Sequence, residues 1–510
     1  MHDPAKRNKI TLRTPGKIGA IIKTGFKSQC VPHYRLLTEE QIGEIHRATL
    51  DLLANTGVKV LNAEARRLLK DTGCRIETEH IVKMPGWLVE ESIRCAPSSV
   101  TVYNRKGDPA MVLGGTNVCF GMGTDLLNTW DLSTGELRPS CLQDVIDSAI
   151  VGDHCEEIDF IASNAFPLDV PGNLAFIMEF KALMENSIKP IYFTAGGAED
   201  LAVMLEMAAD VLGGEEQLRE RPFIMHYAEP ISPLVHSSGA IDKLFLCADK
   251  GIPLNYSPAL LSGGSGPVTL AGAIVVANAE ALSGLVIQQL RAKGSPALTG
   301  FSATPMDMRT GTTVYGSPDE RLTHSAGCDL YHYYGLPVWG EAGCSDAASL
   351  DEQAAMESMA SILMASLDGC NLVHDIGYLG QGLAGSVASL VMCNEIISYV
   401  RRIMRGFDIT SDRIGLDIIQ EVGPGGNYLA HDQTLKYCRD EHWTPHMINR
   451  QSLETWQKMG SKPYREMVIE KALDILATHK PDRLTNEAIK RLDTIIAKSA
   501  DRLKGEQLSV

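Results

Sequence analysis

The sequence predicts an α/β protein built on a (β/α)8 TIM barrel with N-terminal and C-terminal helical extensions. Eight times between residues 117 and 405, a short apolar run is followed by turn residues and then by an amphipathic stretch long enough for a helix. The eight predicted strands are residues 118–123, 158–164, 190–195, 222–227, 253–258, 296–301, 337–341 and 371–375.

Two features of these runs favour a parallel sheet enclosed by helices. Five of the eight runs open on Pro, which is tolerated at the first position of a strand because its missing N–H is not yet part of the ladder. The runs are also short and almost continuously apolar, as in IYFTA, FIMHY and ALTGF, which is expected when protein covers both faces of a sheet.

The chain is longer than a barrel needs. Its 510 residues exceed the usual length of about 250, so we expect a helical and β cap over residues 1–115, the barrel over 116–410, and a C-terminal lid and helical extension over 411–510. Residues 38–57 predict a helix that opens with Thr38 as its cap and ends at Gly57. Two further helices are predicted over residues 463–478 and 486–503.

Composition excludes several classes of function. The net charge of -16 argues against nucleic acid as a partner. Twelve cysteines without a CxxC pair are typical of a reducing compartment. No apolar run of the length of a membrane span is evident, and the N-terminus lacks the pattern of a secretory signal, so we expect a cytoplasmic protein without a membrane partner.

The first 35 residues are locally basic. This arm could dock an acidic partner, although a solvated arm is the more ordinary interpretation. Its charged residues are Asp3, Lys6, Arg7, Lys9, Arg13, Lys17, Lys23, Lys27 and Arg35.

Several stretches spread over the whole chain resemble one known family. They read LTEEQIGEIHRATLDLLANTGVKV, DLSTGELRPSCLQDV, GLPVWGEAGCSDAASLDEQAA, NLVHDIGYL and EVGPGGNYLAHDQTLKY. Together they look like the trimethylamine methyltransferase family, which moves a methyl group from an amine to a corrinoid protein. The resemblance implies a (β/α)8 barrel, a substrate with N-methyl groups, and a cognate corrinoid (cobalamin) protein as the methyl acceptor.

One departure from that family bears on the substrate. Archaeal trimethylamine members contain pyrrolysine, whereas this sequence contains only the twenty ordinary amino acids. The chain therefore resembles the branch that demethylates quaternary amines such as glycine betaine. A quaternary nitrogen leaves as a neutral tertiary amine, so that its displacement needs neither an acid catalyst nor a covalent adduct, and the protein mainly has to position the substrate.

Barrel enzymes place their sites at the carboxyl ends of the strands. A quaternary ammonium ion is recognised by the faces of aromatic rings and by a carboxylate. From the strand ends we expect substrate binding by Tyr227, Tyr256, Phe301, Trp339 and Glu229, and methyl positioning by His374 and Glu341. Packing of the rings in the core, an ion pair of either acid, and a core histidine bonded to backbone remain the alternatives.

The C-terminal region contains a glycine-rich turn at residues 423–426. Because Gly425 and Gly426 suit the close approach of a large flat ligand, this turn is a candidate lid over the mouth of the barrel, and a helix-terminating turn is the alternative. In this interpretation Asn427, Tyr428 and His431 face the corrinoid.

No ligand spacing predicts a metal in this subunit. His226, Glu229, His374, Cys344 and Cys370 are spread over three strand ends. Cys344 could be a nucleophile at the start of a helix, but transfer from a quaternary amine requires none. A zinc-dependent corrinoid methyltransferase for a thiol or alcohol, and a non-catalytic betaine- or corrinoid-binding barrel, remain open. One zinc per chain would favour the former.

Two further expectations concern the substrate carboxylate and the oligomer. A substrate carboxylate needs a cationic or N–H partner, and Arg309 is a loop possibility. The Ala- and Gly-rich helix predicted over residues 268–293 could pack against another subunit, which makes a homo-oligomer plausible.

Overall fold

A parallel sheet of seven strands lies at the centre of the computed structural model, which describes residues 29–30 and 32–503. In spatial order the strands are Ile191–Phe193, Ile224–Ala228, Leu254–Tyr256, Ala297–Gly300, Val338–Glu341, Leu372–Ile376 and Cys119–Met122. Every neighbouring pair is parallel. These strands confirm seven of the eight predicted strand positions.

The predicted second strand, residues 158–164, forms no extended strand but reaches both edges of this sheet. Phe160 makes a parallel bridge to Gly121, and Ile161 makes one to Ile191. The amide of Ile161 donates to the carbonyl oxygen of Pro190 at 2.9 Å, and the amide of Tyr192 donates back to the carbonyl of Ile161 at 2.9 Å. The segment therefore lies between the first and last strands of the sheet.

Helices follow the strands, as the periodicity predicts. Ser317 caps the helix Pro318–Tyr334 through its side chain, Pro318 occupies the first turn, and Gly335 ends it in the left-handed conformation at φ 70°. The helices of this region are Leu142–His154, Ala175–Asn186, Ala198–Leu212, Glu215–Glu220, Ser238–Lys250, Leu270–Arg291, Pro318–Tyr334, Glu352–Asp368 and Val387–Arg405, with a 3-10 turn at Gly172–Leu174.

Short strands that the sequence did not predict extend the loops after the parallel strands. One small sheet contains Asn128–Trp130, Leu137–Pro139, Tyr378–Leu379 and Ala384–Gly385, and another contains Ala259–Ser262, Ser302–Asp307 and Thr312–Thr313. Both lie at the carboxyl end of the parallel sheet, where they surround its opening.

The N-terminal region packs mainly on the helix Leu270–Arg291. Its helices are Glu39–Asn55, Ala63–Asp71 and Gly86–Cys95. Its strands form a small sheet of Val58–Val60, Arg75–Ile76 and Ile81–Lys83, which Val235–His236 completes, and a separate pair of Ser99–Tyr103 and Pro109–Gly114. The predicted first helix is confirmed. The Thr38 side chain and Gln41 form the reciprocal capping pair at its start. Of the basic arm, residues 1–28 lie outside the described residues.

The helix Leu270–Arg291 bears on two expectations. It is long and apolar enough to cross a membrane, which corrects the prediction that no apolar run has that length, but 72% of its most apolar window is buried inside the protein. It packs against this chain's own helices Glu39–Asn55 and Gly86–Cys95. The N-terminal region therefore covers part of the surface expected to meet another subunit, and the homo-oligomer stays a prediction.

The C-terminal region begins at the amino end of the sheet. The strand Phe407–Asp408 pairs with Gln29–Cys30, directly after the helix Val387–Arg405 has returned the chain to that end. The remaining helices are Ser411–Ile414, Leu416–Val422, Asp432–Glu441, Leu453–Lys458, Tyr464–Thr478 and Asn486–Leu503. The last two confirm the predicted C-terminal helices.

Candidate active site at the carboxyl end of the sheet

Three aromatic rings form a row on the inner face of the sheet. The rings of Tyr192 and Tyr227 stack with centroids 5.9 Å apart, and Tyr227 stacks on Trp339, also at 5.9 Å and with only 23° between the planes. Strand alternation brings them together, because Tyr227 pairs with Asn255, whose side chain contacts Tyr192. The row therefore presents aromatic ring faces on the inner face of the sheet, which is the face opposite to the surrounding helices.

Asn255 fixes the orientation of two of these rings. With its amide oriented to satisfy both donors, its oxygen accepts from the Tyr192 hydroxyl at 2.7 Å and from the Trp339 indole N–H at 3.1 Å. Its nitrogen then donates to the carbonyl of Leu298 at 3.1 Å. Because every member is buried, this network holds the ring faces in place before any ligand arrives.

His374 lies at the end of the row, at an irregularity in the strand Leu372–Ile376. Its ring lies 4.6 Å from Tyr192 and 6.3 Å from Trp339, centroid to centroid. The register shifts between Val373 and Ile376, and Asp375 has a left-handed φ of 76°. This distortion leaves His374 Nδ1 only 2.6 Å from Asp375 Oδ1, so a histidine and an acid occupy consecutive positions at the site.

Two buried carboxyl groups stand beside these rings. Glu341 is 5% exposed and Asp375 is 3% exposed, and Glu341 Oε2 has no hydrogen-bond partner among the described residues. Burial and the nearby Asp375 raise the pKa of Glu341 to about 7, against the opposing effects of Ser302 and His374. A cation entering here would relieve the unfavourable burial of negative charge.

A cavity of about 590 Å³ opens next to Tyr227. It is lined mainly by the loops after the strands Ile191–Phe193 and Ile224–Ala228 and by the start of the helix Ser238–Lys250. The Tyr227 hydroxyl donates to Glu229 at 2.7 Å, and the Thr194 hydroxyl donates to Asp125 at 2.7 Å. Among the described side chains that line the cavity, Lys243 alone is a lysine or arginine. Its Nζ donates to the carbonyl of Ala195 at 2.9 Å.

The electrostatics of the cavity are set by burial. Burial lowers the pKa of Lys243, with neighbouring acids acting in the opposite direction, and it raises the pKa of Glu229, against the hydrogen bond from Tyr227. Burial also raises the pKa of Asp125. Burial and the neighbouring Asp125 raise the pKa of Glu179 well above its usual range.

Tyr256 and Phe301 lie on the other face of the sheet. The Tyr256 hydroxyl is 2.9 Å from His236 Nδ1, and its ring packs on Gly284 of the helix Leu270–Arg291. The Phe301 ring packs on Gly327 of the helix Pro318–Tyr334. Alternation explains both placements, since inward-facing Asn255 directly precedes Tyr256. The structure therefore does not bring these two rings to Tyr227 and Trp339.

The glycine-rich turn and its neighbours are attached at the amino end of the sheet. Arg402 and Arg405, in the last turn of the helix Val387–Arg405, donate to the backbone carbonyls of Glu441 and Asp440. None of the residues in the three helices between 411 and 441 is buried. The predicted corrinoid-facing residues are Asn427, Tyr428 and His431. Asn427 Oδ1 accepts from the amide of Leu429 at 2.7 Å, and His431 caps the helix Asp432–Glu441, so their contact with a corrinoid stays a prediction.

The other candidates are placed as follows. Cys344 is 1% exposed and packs with Tyr378 and Leu126 near the site, and burial raises the pKa of its thiol well above the usual range. His226 faces outward with its Nδ1 3.1 Å from the carbonyl of Phe193. The Arg309 side chain is 89% exposed and pairs with Asp307.

Sequence reasoning missed three residues that the structure places at the site. Tyr192 lies in the continuously apolar run IYFTA, where no pattern distinguishes it from its neighbour Phe193, which packs outward on Phe180. Asn255 is a polar residue inside an otherwise apolar run, a signal that could have marked it as inward-facing. Lys243 lies on a helix, and its pattern there resembles that of any solvated lysine.

Comparisons with known proteins agree with one another. The family model described as trimethylamine methyltransferase (MTTB) matches residues 7–503. The chain is 31% identical over 468 residues to the trimethylamine methyltransferase MttB of Desulfitobacterium hafniense (strain DSM 10664 / DCB-2), covering 91% of this chain and 94% of that protein. It is 29% identical over 471 residues to the glycine betaine methyltransferase of Desulfitobacterium hafniense (strain Y51), and this match covers 92% of this chain and 98% of that protein.

A likeness to solved structures concerns the fold alone. The crystal structure of the Methanosarcina barkeri monomethylamine methyltransferase (MtmB) superposes with a TM-score of 0.53 at 13% sequence identity. The match covers 89% of this chain and 90% of that one, so the similarity extends over nearly the whole length.

Proposed function

The chain belongs to the trimethylamine methyltransferase family, and we propose that it transfers a methyl group from a quaternary amine, glycine betaine or a related compound, to the Co(I) of a corrinoid carried by a cognate protein. The stacked row of Tyr192, Tyr227 and Trp339 beside buried carboxyl groups is the observation that supports this substrate class most strongly. The similarity to a glycine betaine methyltransferase supports it independently.

The aromatic row suits a cation that has no N–H group. A quaternary ammonium ion cannot donate a conventional hydrogen bond, so its recognition relies on ring faces, each worth about 0.5–2 kcal/mol depending on desolvation. Glu341 and Asp375 supply negative charge next to the rings. In this proposal the cage consists of Tyr192, Tyr227, Trp339 and His374, while Tyr256 and Phe301 have structural roles.

The reaction requires little from titrating side chains. The bond between the methyl carbon and nitrogen breaks, and its electron pair stays on the nitrogen, which departs as a neutral tertiary amine. The corrinoid supplies the electron pair for the new bond to carbon. The chain's own residues bind the cation, orient one methyl group toward the open carboxyl end, and exclude water from the buried site. Glu341 and His374 are the groups we assign to methyl positioning.

Lys243 extends the proposal to the other end of the substrate. Glycine betaine is a zwitterion, and its carboxylate needs a cationic or N–H partner once it is withdrawn from water. Lys243 and Tyr227 line the same cavity. A substrate whose ammonium group lies on Tyr227 could therefore place its carboxylate toward Lys243, a role for which Arg309 is poorly suited because it is exposed and paired with Asp307.

We further propose that the sheet is a closed (β/α)8 barrel, which residues 158–164 complete. The parallel bridges of Phe160 and Ile161 to the two edge strands support this closure. A cytoplasmic location is supported by the eleven free cysteines among the described side chains, since free thiols persist in a reducing compartment.

A turnover assay tests the function. The purified full chain is incubated with glycine betaine and a reduced corrinoid, first free and then bound to candidate corrinoid proteins, and dimethylglycine and methylated corrinoid are measured. We expect both products to form in equal amounts. A substrate panel with proline betaine, carnitine, choline and trimethylamine accompanies the assay. Turnover of trimethylamine together with inactivity on every quaternary amine would contradict the proposal.

A further inference from the structure

Three side chains with metal-binding groups meet at a second place in the fold. His324 and Cys328 lie on the helix Pro318–Tyr334, and Cys370 immediately precedes the strand Leu372–Ile376. One ligand atom from each lies within 4.8 Å of the other two. The three residues are 5%, 1% and 0% exposed, respectively, so the cluster is enclosed by protein.

Local structure brings the three residues together. His324 and Cys328 are four positions apart on one helix, so their side chains lie one above the other on the same face. Gly369 ends the helix Glu352–Asp368 in the left-handed conformation at φ 70°, which turns the chain toward the next strand. Cys370 is held after this turn by a hydrogen bond from its amide to the carbonyl of Ala365 at 3.0 Å.

A fourth donor stands beside the cluster. His324 Nδ1 is 3.9 Å from the sulfur of Cys328 and 3.7 Å from Asp368 Oδ2. Ser325 donates to the same carboxylate oxygen at 2.8 Å, which orients it. Around a tetrahedral zinc ion, sulfur and nitrogen ligands are separated by about 3.5–3.8 Å, given bonds of about 2.3 and 2.0 Å. The distance between His324 and Cys328 is thus near what such an ion requires, and the ligand atom of Cys370 lies within 4.8 Å of both.

We propose that this cluster is a structural zinc site, with His324, Cys328 and Cys370 as ligands and Asp368 as the fourth. Thiolate and imidazole ligands select zinc over magnesium or calcium. Four protein ligands leave no open position for a substrate, which distinguishes this site from a catalytic zinc. The ion would join the later turns of the helix Pro318–Tyr334 to the amino end of the strand Leu372–Ile376.

The location separates this site from the proposed chemistry. Cys370 precedes the strand that contains His374 and Asp375, and the His324 ring packs on Gly340 from the helix side of the sheet. The cluster therefore lies on the outer face of the sheet, whereas the candidate active site lies on its inner face. Zinc in the purified protein would therefore not by itself favour a zinc-dependent methyltransferase. The alternative is a metal-free cluster, in which the Cys370 thiol, 3.7 Å from the carbonyl of Val338, makes a weak hydrogen bond.

Metal content of the full-length chain tests the proposal. Wild-type protein produced with added zinc should retain about one zinc per chain after gel filtration in the presence of a weak chelator. Cys328→Ser and Cys370→Ser should each lose most of it. Cys247→Ser and Cys393→Ser, which alter buried thiols outside the cluster, should retain it. Zinc-free wild-type protein, or equal zinc in all four variants, would overturn the proposal.

A second measurement does not depend on the folding of any variant. Wild-type protein without corrinoid, with its zinc exchanged for Co(II), should show the thiolate-to-cobalt charge-transfer absorption and the intense visible bands of a tetrahedral site. A spectrum typical of cobalt bound only by oxygen and nitrogen would contradict the assignment of Cys328 and Cys370. Zinc content is measured without turnover, so this result stands apart from the test for dimethylglycine.

Discussion

The inner and outer faces of the same strands differ in the contacts that their side chains make. On the strand Ile224–Ala228, Tyr227 faces inward and stacks on Trp339, while its neighbour His226 faces outward with its Nδ1 near a backbone carbonyl. On the next strand, Asn255 faces inward and Tyr256 outward. A shift of one position thus separates a residue that can bind a ligand from one that attaches a helix to the sheet.

The largest expected effect comes from the buried charge on the inner face. Glu341→Gln removes a carboxylate proposed to stand beside the substrate cation, and the loss of one partner of a buried ion pair costs about 3–5 kcal/mol. We therefore expect kcat/KM to fall by about two orders of magnitude or more. Steady-state kinetics with glycine betaine measures this, and a fall of less than threefold would remove Glu341 from the site.

The same residue gives a pH dependence. Burial and Asp375 raise the pKa of Glu341 from 4.5 to about 7, so kcat/KM of the wild type should rise with pH through that value as the anion forms. Stability should run the other way. The contribution of Glu341 to the free energy of unfolding is complete below about pH 4.5 and is lost as pH rises through about 7, because the folded state favours the protonated carboxyl. Both trends should flatten in Glu341→Gln.

A ring exchange compares the two faces directly. Tyr227→Leu keeps apolar volume but removes an aromatic face, so KM for a quaternary amine should rise about 3- to 30-fold. Tyr256→Phe, on the outer face, removes the hydroxyl next to His236 and should lower the melting temperature while leaving KM within about twofold. Equal changes of KM in the two variants would mean that the faces do not differ in function.

Lys243 sharpens the comparison for the carboxylate end of the substrate. Lys243→Met should raise KM for glycine betaine about tenfold, because a desolvated carboxylate loses its cationic partner. Tetramethylammonium, which has no carboxylate, should be unaffected or bound more tightly. Lys250→Met, at the far end of the same helix and paired with Glu215, is the matched control. Parallel losses on both substrates would argue against a role in carboxylate recognition.

The smallest effect is expected at Arg309. Its side chain is 89% exposed and pairs only with its near neighbour Asp307. Arg309→Ala should therefore change stability by no more than about 0.5 kcal/mol and leave KM unchanged within error. Denaturant unfolding and the same kinetic assay measure both. An increase in KM specific to glycine betaine would move carboxylate recognition from Lys243 to this loop.

The sequence could predict where the strands lie but not which face each residue occupies. A strand covered by protein on both sides, such as FIMHY, has no alternation of polar and apolar residues from which to infer its face. The predicted site therefore mixes residues of both faces: the inward-facing Tyr227, Trp339, Glu341 and His374, and the outward-facing Tyr256 and Phe301. In the strand Leu372–Ile376, a period of two cannot predict which face each residue occupies, because the irregularity of the strand leaves His374 and Asp375 side by side.

Long-range features were also beyond the sequence. Lys243 reaches the cavity from a helix. Cys370 lies 42 positions after Cys328 in the sequence, and only the fold brings it to His324 and Cys328. The glycine-rich turn was expected at the mouth because glycines permit close approach. The end of the same segment, at Asp440 and Glu441, is bound by the arginines at the end of the helix Val387–Arg405, a contact that no local pattern reveals.

The segment between Asp159 and Asn164 forms a seam between the two edge strands of the seven-stranded sheet. It is held to its neighbours by isolated bridges instead of a continuous ladder, while the aromatic ring of Phe160 occupies the space that a side chain at Gly121 would need. Local opening should start where the fewest ladder bonds must break at once. Amide hydrogens on either side of this seam should therefore exchange with deuterium sooner than those of the strands directly across the sheet.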